Sequence, residues 1–302
     1  MKVLMTGSSG FLGRALTRAL HGRGHTVAPL VRREPRPQSG EIQWDPGAGV
    51  IEPRDLEGAD AAIHLAGVNI GNRRWTEQHK ARALDSRVRG TRLFSEALAA
   101  LASPPEVLLS ASGIGYYGDR GDEVLTEVSE PGSDFMARIC RAWEGQTEPA
   151  RAAGIRVVNH RTGPVLHPSG GIFQPMLLPF RLGLGARLGR GEQWWSWITL
   201  ADYVEAIIYV MGNSEVVGPV NLVAPQPVTN AEFTTALGRA LRRPAVLIVP
   251  SAVLRIAFGT EMADELLLVS QRVRPAVLER AGYVFTHARL DDALASLVGG
   301  RP

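Results

Sequence analysis

The sequence predicts an α/β fold, a doubly wound parallel sheet with a smaller, mostly helical C-terminal lobe. Three observations support this prediction. The chain opens with a short apolar run, three regularly spaced glycines and an amphipathic segment. Apolar segments of strand length then alternate with longer segments of helical periodicity. Apolar residues make up 45% of the 302 residues, which is enough to bury a large core.

The first strand-helix-strand unit lies at the start of the chain. An apolar run at residues 3–5 is typical of a buried parallel strand, and residues 14–20 form an amphipathic helix. Gly24 ends this helix, and residues 26–31 are apolar again. The alternation continues with strands predicted at residues 61–65, 107–110 and 155–158, and with helices predicted at residues 79–101 and within residues 133–153.

The later part of the chain divides between two predicted units. Residues 203–211 are expected to form a helix of the sheet domain, with Asp202 as its N-cap. Residues 250–297 are expected to form two or three helices, beginning at Ser251 and broken by Pro275. We therefore assign residues 1–163 and 197–223 to a dinucleotide-binding domain, and residues 164–196 and 224–302 to a substrate-binding lobe.

The glycines of the opening segment predict a dinucleotide site. Their spacing provides a tight turn after the strand, a close backbone approach to a pyrophosphate, and close packing of helix on strand. The phosphates are then expected at the helix N-terminus, where free amides and the macrodipole favour negative charge. Glycines also occur in purely structural turns, but the strand before them and the helix after them favour the dinucleotide. The expected contacts are Gly7, Ser9, Gly10, Phe11, Leu12 and Gly13.

The residues after the second strand predict NADP(H) as the cofactor. An NAD site places an acidic residue at this strand end to accept from the ribose 2′-hydroxyl, whereas an NADP site places arginine there. This chain has Arg32 and Arg33, with Glu34 beyond them. Two guanidinium groups suit a 2′-phosphate, and Arg32 lies nearer to the strand. The alternative is a solvated arginine-rich loop.

The composition argues against several other classes of protein. Cys140 is the only cysteine, so the chain forms no internal disulfide and no cysteine zinc cluster. A net charge of +3, with arginines scattered among acids, is typical of a solvated surface rather than of a nucleic-acid interface. His160 and His167 have no partner at metal-ligand spacing. Without an export signal or a long apolar run, we expect a cytoplasmic protein with no metal, nucleic-acid or membrane partner, and leave a homodimer open.

Several motifs are distributed over the whole chain. They are Thr6-Gly7-Ser8-Ser9-Gly10-Phe11-Leu12-Gly13, His64-Leu65-Ala66-Gly67, Ser110-Ala111-Ser112 before Tyr116-Tyr117-Gly118, Arg161-Thr162-Gly163-Pro164, and Gly259-Thr260-Glu261-Met262-Ala263. With these motifs the chain resembles the extended short-chain dehydrogenase/reductase superfamily of epimerase/dehydratase type, and within it the branch called epimerase family protein, sometimes labelled cell-division-inhibitor-like. The resemblance implies a Rossmann domain and a nicotinamide dinucleotide, but no defined reaction.

The chain departs from this superfamily at its proton-transfer pair. Members with known chemistry carry Tyr-x-x-x-Lys on a helix, in which lysine lowers the tyrosine pKa and holds the nicotinamide ribose. Aligned on Glu144, the tyrosine position holds Met136 and the lysine position holds Cys140. The only lysines of the chain are Lys2 and Lys80, so no shift of alignment restores the pair.

Three other residues are candidates for catalysis. Ser112 lies at the strand end where the superfamily places a serine or threonine, and Tyr116 or Tyr117 follows within reach of the nicotinamide. Without a lysine, we expect such a tyrosine to titrate near its ordinary pKa of about 10. The alternative is that this loop forms only a wall of the pocket.

Further cofactor contacts are expected from the strand ends and the second helix. The backbone of Leu65, Ala66 and Gly67 is expected beside the cofactor ribose. Arg82 and Arg87 share one helix face, and Arg87 occupies the site where relatives place an asparagine; the alternative for Arg87 is a surface arginine. Arg161 ends the last predicted strand, and its alternative role is a structural salt bridge.

The expected function is an NADP(H)-binding, epimerase-like oxidoreductase acting on a small carbonyl, alcohol or sugar-like substrate. The alternative is a catalytically silent NADPH-binding sensor or interaction protein, because the Tyr-x-x-x-Lys pair is missing. His64 is expected to be a hydrogen-bonded core residue. The indoles of Trp194, Trp195 and Trp197 are expected either to fill a core or to line an apolar pocket.

Overall fold

The computed structural model describes residues 1–71 and 73–299. The elements of its first half are β1 (Lys2–Thr6), α1 (Phe11–Gly22), β2 (Thr26–Val31), β3 (Ile42–Asp45), β4 (Val50–Ile51), β5 (Ala61–His64), α2 (Glu77–Ala99), β6 (Val107–Gly113), β7 (Val124–Leu125), α3 (Phe135–Gly145), α4 (Glu148–Ala152) and β8 (Arg156–Thr162). Short 3₁₀ turns cover Pro53–Leu56 and Ile114–Tyr117.

The second half contains shorter strands and more helices. Its elements are β9 (Val165–Leu166), α5 (Phe173–Arg181), β10 (Ala186–Leu188), β11 (Trp194–Trp195), β12 (Ile198–Thr199), α6 (Leu200–Gly212), β13 (Gly218–Leu222), β14 (Val228–Thr229), α7 (Asn230–Leu241), β15 (Leu247–Val249), α8 (Ser251–Phe258), α9 (Thr260–Met262), β16 (Arg272–Val273), α10 (Ala276–Arg280) and α11 (Leu290–Val298), with a π-helical turn at Ala263–Leu267. No helix within the described ranges is long and apolar enough to cross a membrane.

A central eight-stranded sheet organises the fold, in the order β13-β8-β6-β5-β1-β2-β3-β4. Every neighbouring pair is parallel except β3 and β4. One face packs on α1 and α6 through Leu16, Leu20 and Ile207, and the other packs on α2 through Phe94 and Leu98. The predicted doubly wound parallel sheet is confirmed.

The structure corrects several predicted boundaries. The segment 133–153 contains two helices instead of one, because Pro149 lacks the amide that a continuous helix would need. The strands predicted to end at residues 110 and 158 extend to Gly113 and Thr162, since β6 and β8 keep pairing up to the edge of the site. Residues 250–297 hold four helices; α8 begins at Ser251 as expected and ends at Phe258, before Gly259, whose φ is +91°.

A second core lies beside the sheet. It packs α5, α7 and α11 around Phe173, Phe233 and Leu294. Trp195 and Trp197 are buried in it, at 6% and 0% exposure, and therefore fill a core. The Trp194 indole is only partly buried and donates to Asp122 Oδ1 at 2.8 Å.

The predicted N-cap of α6 is wrong. Thr199 caps the helix, and its Oγ1 accepts from the amide of Asp202 at 3.1 Å. The Asp202 side chain is 1% exposed, and its two oxygens accept hydrogen bonds from a distant segment of the chain. They accept from the backbone amides of Thr286 at 2.7 Å and His287 at 3.0 Å. Asp202 thus holds the C-terminal segment against the sheet domain.

We predict that Asp202→Ala lowers the free energy of unfolding by about 2–5 kcal/mol, because two amides lose their acceptor. Urea denaturation measures the change. Asp291→Ala is the control, since Asp291 is half exposed and forms only a long surface ion pair, 3.6 Å, with Arg239. This variant should lower the free energy of unfolding by less than about 0.5 kcal/mol. An Asp202→Ala protein as stable as the wild type would show that the hydrogen bonds from residues 286 and 287 to Asp202 contribute little to stability.

Candidate functional site

A cavity of about 340 Å³ lies at the carboxyl ends of the central strands. It has three walls. The glycine loop contributes Gly7 and Gly10–Gly13, and the strand ends contribute Leu65, Ala111–Gly113, His160 and Thr162. Helices α2 and α3 contribute Arg87, Met136, Ile139, Cys140 and Trp143. Ligands of open parallel sheets bind at this edge.

The glycine loop is shaped by close backbone contacts. A Cβ at Gly13 would lie 2.2 Å from the carbonyl oxygen of Gly7, so only glycine lets α1 pack on the loop. Gly7 has a φ of +70°, and a Cβ there would lie 2.9 Å from the Leu65 carbonyl carbon. Gly10 precedes α1, so the amides of Phe11, Leu12 and Gly13 have no helical carbonyl to bond. Ser9 is in the loop but does not line the cavity.

The two arginines after β2 have different surroundings. Arg33 is bonded to Glu41 at 2.5 Å, and Arg36 reaches the same carboxylate at 2.7 Å. Hydrogen bonds from Arg36 and then Arg33 hold the pKa of Glu41 well below its ordinary value. Arg32 is exposed and, among the described residues, makes no hydrogen bond or ion pair. Arg32 therefore keeps a free guanidinium at the end of β2.

A buried threonine holds the segment after β5. Thr6 Oγ1 accepts from the amides of Leu65 at 3.1 Å and Ala66 at 3.2 Å. The same hydroxyl is bonded to His64 Nδ1 at 2.8 Å. His64 is fully buried, and burial lowers its pKa to about 3, so it is a neutral core residue as expected. Leu65 lines the cavity, whereas Ala66 and Gly67 do not.

Ser112 belongs to a buried polar network. Its hydroxyl donates to Glu144 Oε1 at 2.7 Å. The Arg161 guanidinium donates to both Glu144 oxygens, at 2.8 and 2.9 Å, and to the Tyr117 hydroxyl at 3.1 Å. Tyr117 in turn donates to Asn221 Oδ1 at 2.7 Å. The network joins β6, α3, β8 and β13 behind the cavity.

This network removes two predicted site residues from the cavity. Arg161 is 3% exposed and forms the structural salt bridge that was its alternative role. Although burial acts to lower it, the hydrogen bonds and charge of Glu144 raise the pKa of Arg161. Tyr117 is fully buried, and Tyr116 lies over Arg161, with 3.3 Å between the ring centroid and Cζ. Of the three candidate catalytic residues, Ser112 alone lines the cavity.

The positions aligned with the missing pair do face the cavity. Met136 and Cys140 lie one helical turn apart on α3 and line it together with Trp143. Burial, and then the charge of Glu144, raises the pKa of the Cys140 thiol to about 11, so the thiol is neutral at pH 7. An apolar surface thus replaces the tyrosine and lysine.

Arg82 and Arg87 do not share a site. Arg82 is exposed and lies in a separate surface depression with Ala81, Leu84, Asp85 and Val88. Arg87 is half-buried and lines the cavity. The described residues contain no cluster of three or more histidine, cysteine or acidic side chains arranged to hold a metal ion.

Sequence reasoning missed two functional-site features. Ile139 and Trp143 extend the stripe of Met136 and Cys140 at helical spacing, a pattern that could have indicated one wall. Glu144 was used only as the reference residue for aligning α3 with the superfamily, and its own role was missed. Its contacts with Ser112 and Arg161 join β6, α3 and β8, which are distant in sequence.

The parallel sheet, the glycine loop and the cavity at its strand ends define the class of dinucleotide-binding Rossmann proteins. Residues 3–223 match the NAD dependent epimerase/dehydratase family, and residues 249–297 match a domain of unknown function, DUF1731. The chain belongs to the NAD dependent epimerase/dehydratase family, and the resemblance inferred from its motifs is confirmed.

Individual relatives agree over the full length. Epimerase family protein Mb2239 of Mycobacterium bovis is 47% identical over 292 residues, which are 97% of this chain and 96% of that protein. Human epimerase family protein SDR39U1 is 39% identical over 303 residues, covering 99% and 100%. The crystal structure of human SDR39U1 isoform 2 with NADPH matches with a TM-score of 0.91, 35% identity and full coverage of both chains.

The expected ordinary pKa is wrong for Tyr117, because burial raises its pKa to about 12. The folded state keeps this proton while the unfolded state loses it above a pH of about 10. We therefore predict that the free energy of unfolding falls by up to about 2–3 kcal/mol from Tyr117 as the pH rises toward 12. Urea denaturation at about pH 9 and about pH 11 should show a shallower fall for Tyr117→Phe. Equal slopes for both proteins would contradict the raised pKa.

Proposed function

We propose that this chain binds NADP(H) in the cavity and acts as an epimerase-like oxidoreductase on a small carbonyl, alcohol or sugar-like substrate. The observation that carries the proposal is the cradle at the start of α1. There, Gly7 and Gly13 allow backbone contacts that no side chain could enter, and unpaired amides lie beside the cavity.

The residues present fit a phosphorylated dinucleotide. The amides of Phe11, Leu12 and Gly13 would hold the diphosphate, with Gly10 leaving room for it and Ser9 at the loop surface. The backbone from Leu65 to Gly67 would lie beside a ribose. Arg32 would pair with the 2′-phosphate, because Arg33 is already bound to Glu41. The NADPH in the crystal structure of human SDR39U1 supports this assignment.

When bound, the nicotinamide would supply or accept a hydride. Ser112 is a cavity-lining residue that can accept a hydrogen bond from a substrate hydroxyl, because its own proton is donated to Glu144 and its lone pairs remain available. Met136 and Ile139 exclude water from the same space. The described residues of the predicted substrate-binding lobe would complete the pocket, except for Leu278 and Tyr283, which pack on the α1–α6 face of the sheet.

A second candidate function is a silent NADPH-binding sensor. Three observations favour it: Met136 and Cys140 replace the proton-transfer pair, Tyr117 is buried in a hydrogen-bonded network, and Tyr116 packs on Arg161. In this case the cavity binds the dinucleotide without turning over a substrate.

We predict that NADPH binds more tightly than NADH, and that Arg32→Ala removes most of this preference. Loss of one charge-assisted phosphate contact should cost about 1.5–3 kcal/mol. Fluorescence titration of both dinucleotides measures the effect. Arg54→Ala, at an arginine whose side chain is 82% exposed, is the control and should bind both as the wild type does. Equal affinities for the two dinucleotides in the wild type would refute the NADP(H) assignment.

A panel of aldehydes, ketones, quinones and sugar nucleotides separates the enzyme from the sensor. If the chain is an enzyme, NADPH consumption should occur with some member and fall by about 10²-fold or more in Ser112→Ala. Gly10→Val, which blocks the diphosphate position, should abolish both binding and turnover. Tight NADPH binding without turnover across the panel favours the sensor. Turnover that survives Ser112→Ala would place the chemistry elsewhere.

A further inference from the structure

The lining of the cavity contains three polar groups without a partner. Arg87 Nε, Trp143 Nε1 and His160 Nε2 are buried and make no hydrogen bond with any described residue. Trp143 is 7% exposed and His160 is 2% exposed. Buried polar groups in folded proteins are almost always hydrogen-bonded. Three of the eleven buried side-chain atoms without a partner in the described residues belong to residues that line this one cavity, and this grouping points to a ligand that carries several polar atoms.

Two backbone carbonyls and the Trp143 ring hold the Arg87 guanidinium in place. Its Nη1 donates to the carbonyl oxygens of Val68 at 2.9 Å and Ala83 at 3.0 Å. Its guanidinium lies over the Trp143 ring, with Cζ 4.7 Å from the ring centroid. These contacts fix the plane of the guanidinium, and its Nε has no partner among the described residues. The group is therefore pre-organised for an acceptor.

Two other arginines, the buried Arg161 and the half-buried Arg156, are satisfied within the protein, whereas Arg187 Nε also has no partner among the described residues. Arg161 is paired with Glu144 through two hydrogen bonds. Arg156 donates to the carbonyl oxygens of Val210, Met211 and Val216. Arg87, in contrast, has no carboxylate partner among the described residues, and burial lowers its pKa.

The surroundings of Arg87 make its charge costly without a ligand. Met136, Ile139 and the neutral thiol of Cys140 form the same wall. A cation in such a setting is stabilised by a nearby negative charge much more than it would be in water. A bound anion would satisfy both the charge and the free Nε.

We propose that Arg87 and Trp143 form a subsite for an oxyanion, a carboxylate or a phosphate, on the α2–α3 wall of the cavity. One oxygen would accept from Arg87 Nε and another from the Trp143 indole, while His160 would pair with a neighbouring polar atom of the same ligand. The oxyanion comes either from the dinucleotide or from an acidic substrate bound beside it. The inference rests on the proposed function because both ligands would use this cavity.

Isothermal titration calorimetry tests the subsite with NADPH, oxalate and inorganic phosphate as probes. Each anion is titrated into ligand-free protein and into protein saturated with NADPH. The variants are Arg87→Gln and Trp143→Phe, which keeps the aromatic ring and removes only the donor. Arg89→Gln, on the same helix at an arginine paired with Asp85, is the matched control. Circular dichroism verifies that each variant is folded, and Trp143→Phe decides alone if Arg87→Gln is not.

Two results support the subsite and identify its ligand. Binding of NADPH that weakens about tenfold or more in Arg87→Gln and about fivefold in Trp143→Phe assigns the oxyanion to the dinucleotide. Unchanged NADPH binding, with the same losses for oxalate or phosphate on saturated protein, assigns it to an acidic substrate. The Arg89→Gln protein should match the wild type in both cases.

The subsite is overturned if the folded variants bind all probes within about twofold of the wild type. It is also overturned if the wild type binds none of the three. A wild type that binds oxalate or phosphate but not NADPH would refute the proposed cofactor while the anion titrations still decide the subsite.

Discussion

The buried ion pair between Glu144 and Arg161 connects the parts of the site. Arg161 ends the strand next to β6, Glu144 lies at the end of α3, and their contacts extend to Ser112 and Tyr117. Removal of one partner from such a pair leaves an uncompensated buried charge and typically costs about 3–5 kcal/mol. The pair therefore restricts how α3 can be placed on the sheet, and with it the wall that faces the cavity.

The same helix carries Met136 and Cys140 at the positions where the resemblance to the superfamily implies a tyrosine and a lysine. A lysine at position 140 would bring a second cation close to Arg87, and like charges at short range in a buried site repel strongly. Cys140 is neutral and avoids this repulsion. The cation beside the cavity therefore comes from Arg87 on α2, and α3 carries no lysine that would repel it.

Much of the sheet could be predicted from local patterns, because buried parallel strands are short apolar runs and glycine or proline marks the ends of their helices. The split after Gly145 was missed although Pro149 was visible, and the cap of α6 was placed at Asp202 although Thr199 is also a good N-cap residue. Asp202 was misjudged because its true partners, the amides of Thr286 and His287, are more than eighty residues away.

The candidate site was predictable to a similar extent. The glycine loop and Arg32 were assigned from local spacing; the loop lines the cavity and Arg32 follows the end of β2. Arg161 and Tyr117 could not be assigned from sequence, because a terminal arginine of a strand can face a ligand or a carboxylate equally well. Only the packing of Glu144 against β8 decides between the two. Arg82 and Arg87 share a helix face in sequence, yet only one of them reaches the cavity.

The hydrogen bonds that Asp202 accepts from residues 286 and 287 affect the order in which the chain folds as it is synthesised. Residues 3–223 carry the whole central sheet, but Leu278 and Tyr283, near the C-terminus, complete its α1–α6 face. The nascent sheet domain must therefore leave the ribosome with an open apolar surface, and with an Asp202 bonded only to Thr199, until residues 278–287 arrive. Such contacts of long sequence separation form late, so the C-terminal segment would act as the closing step of assembly rather than as an independent appendage.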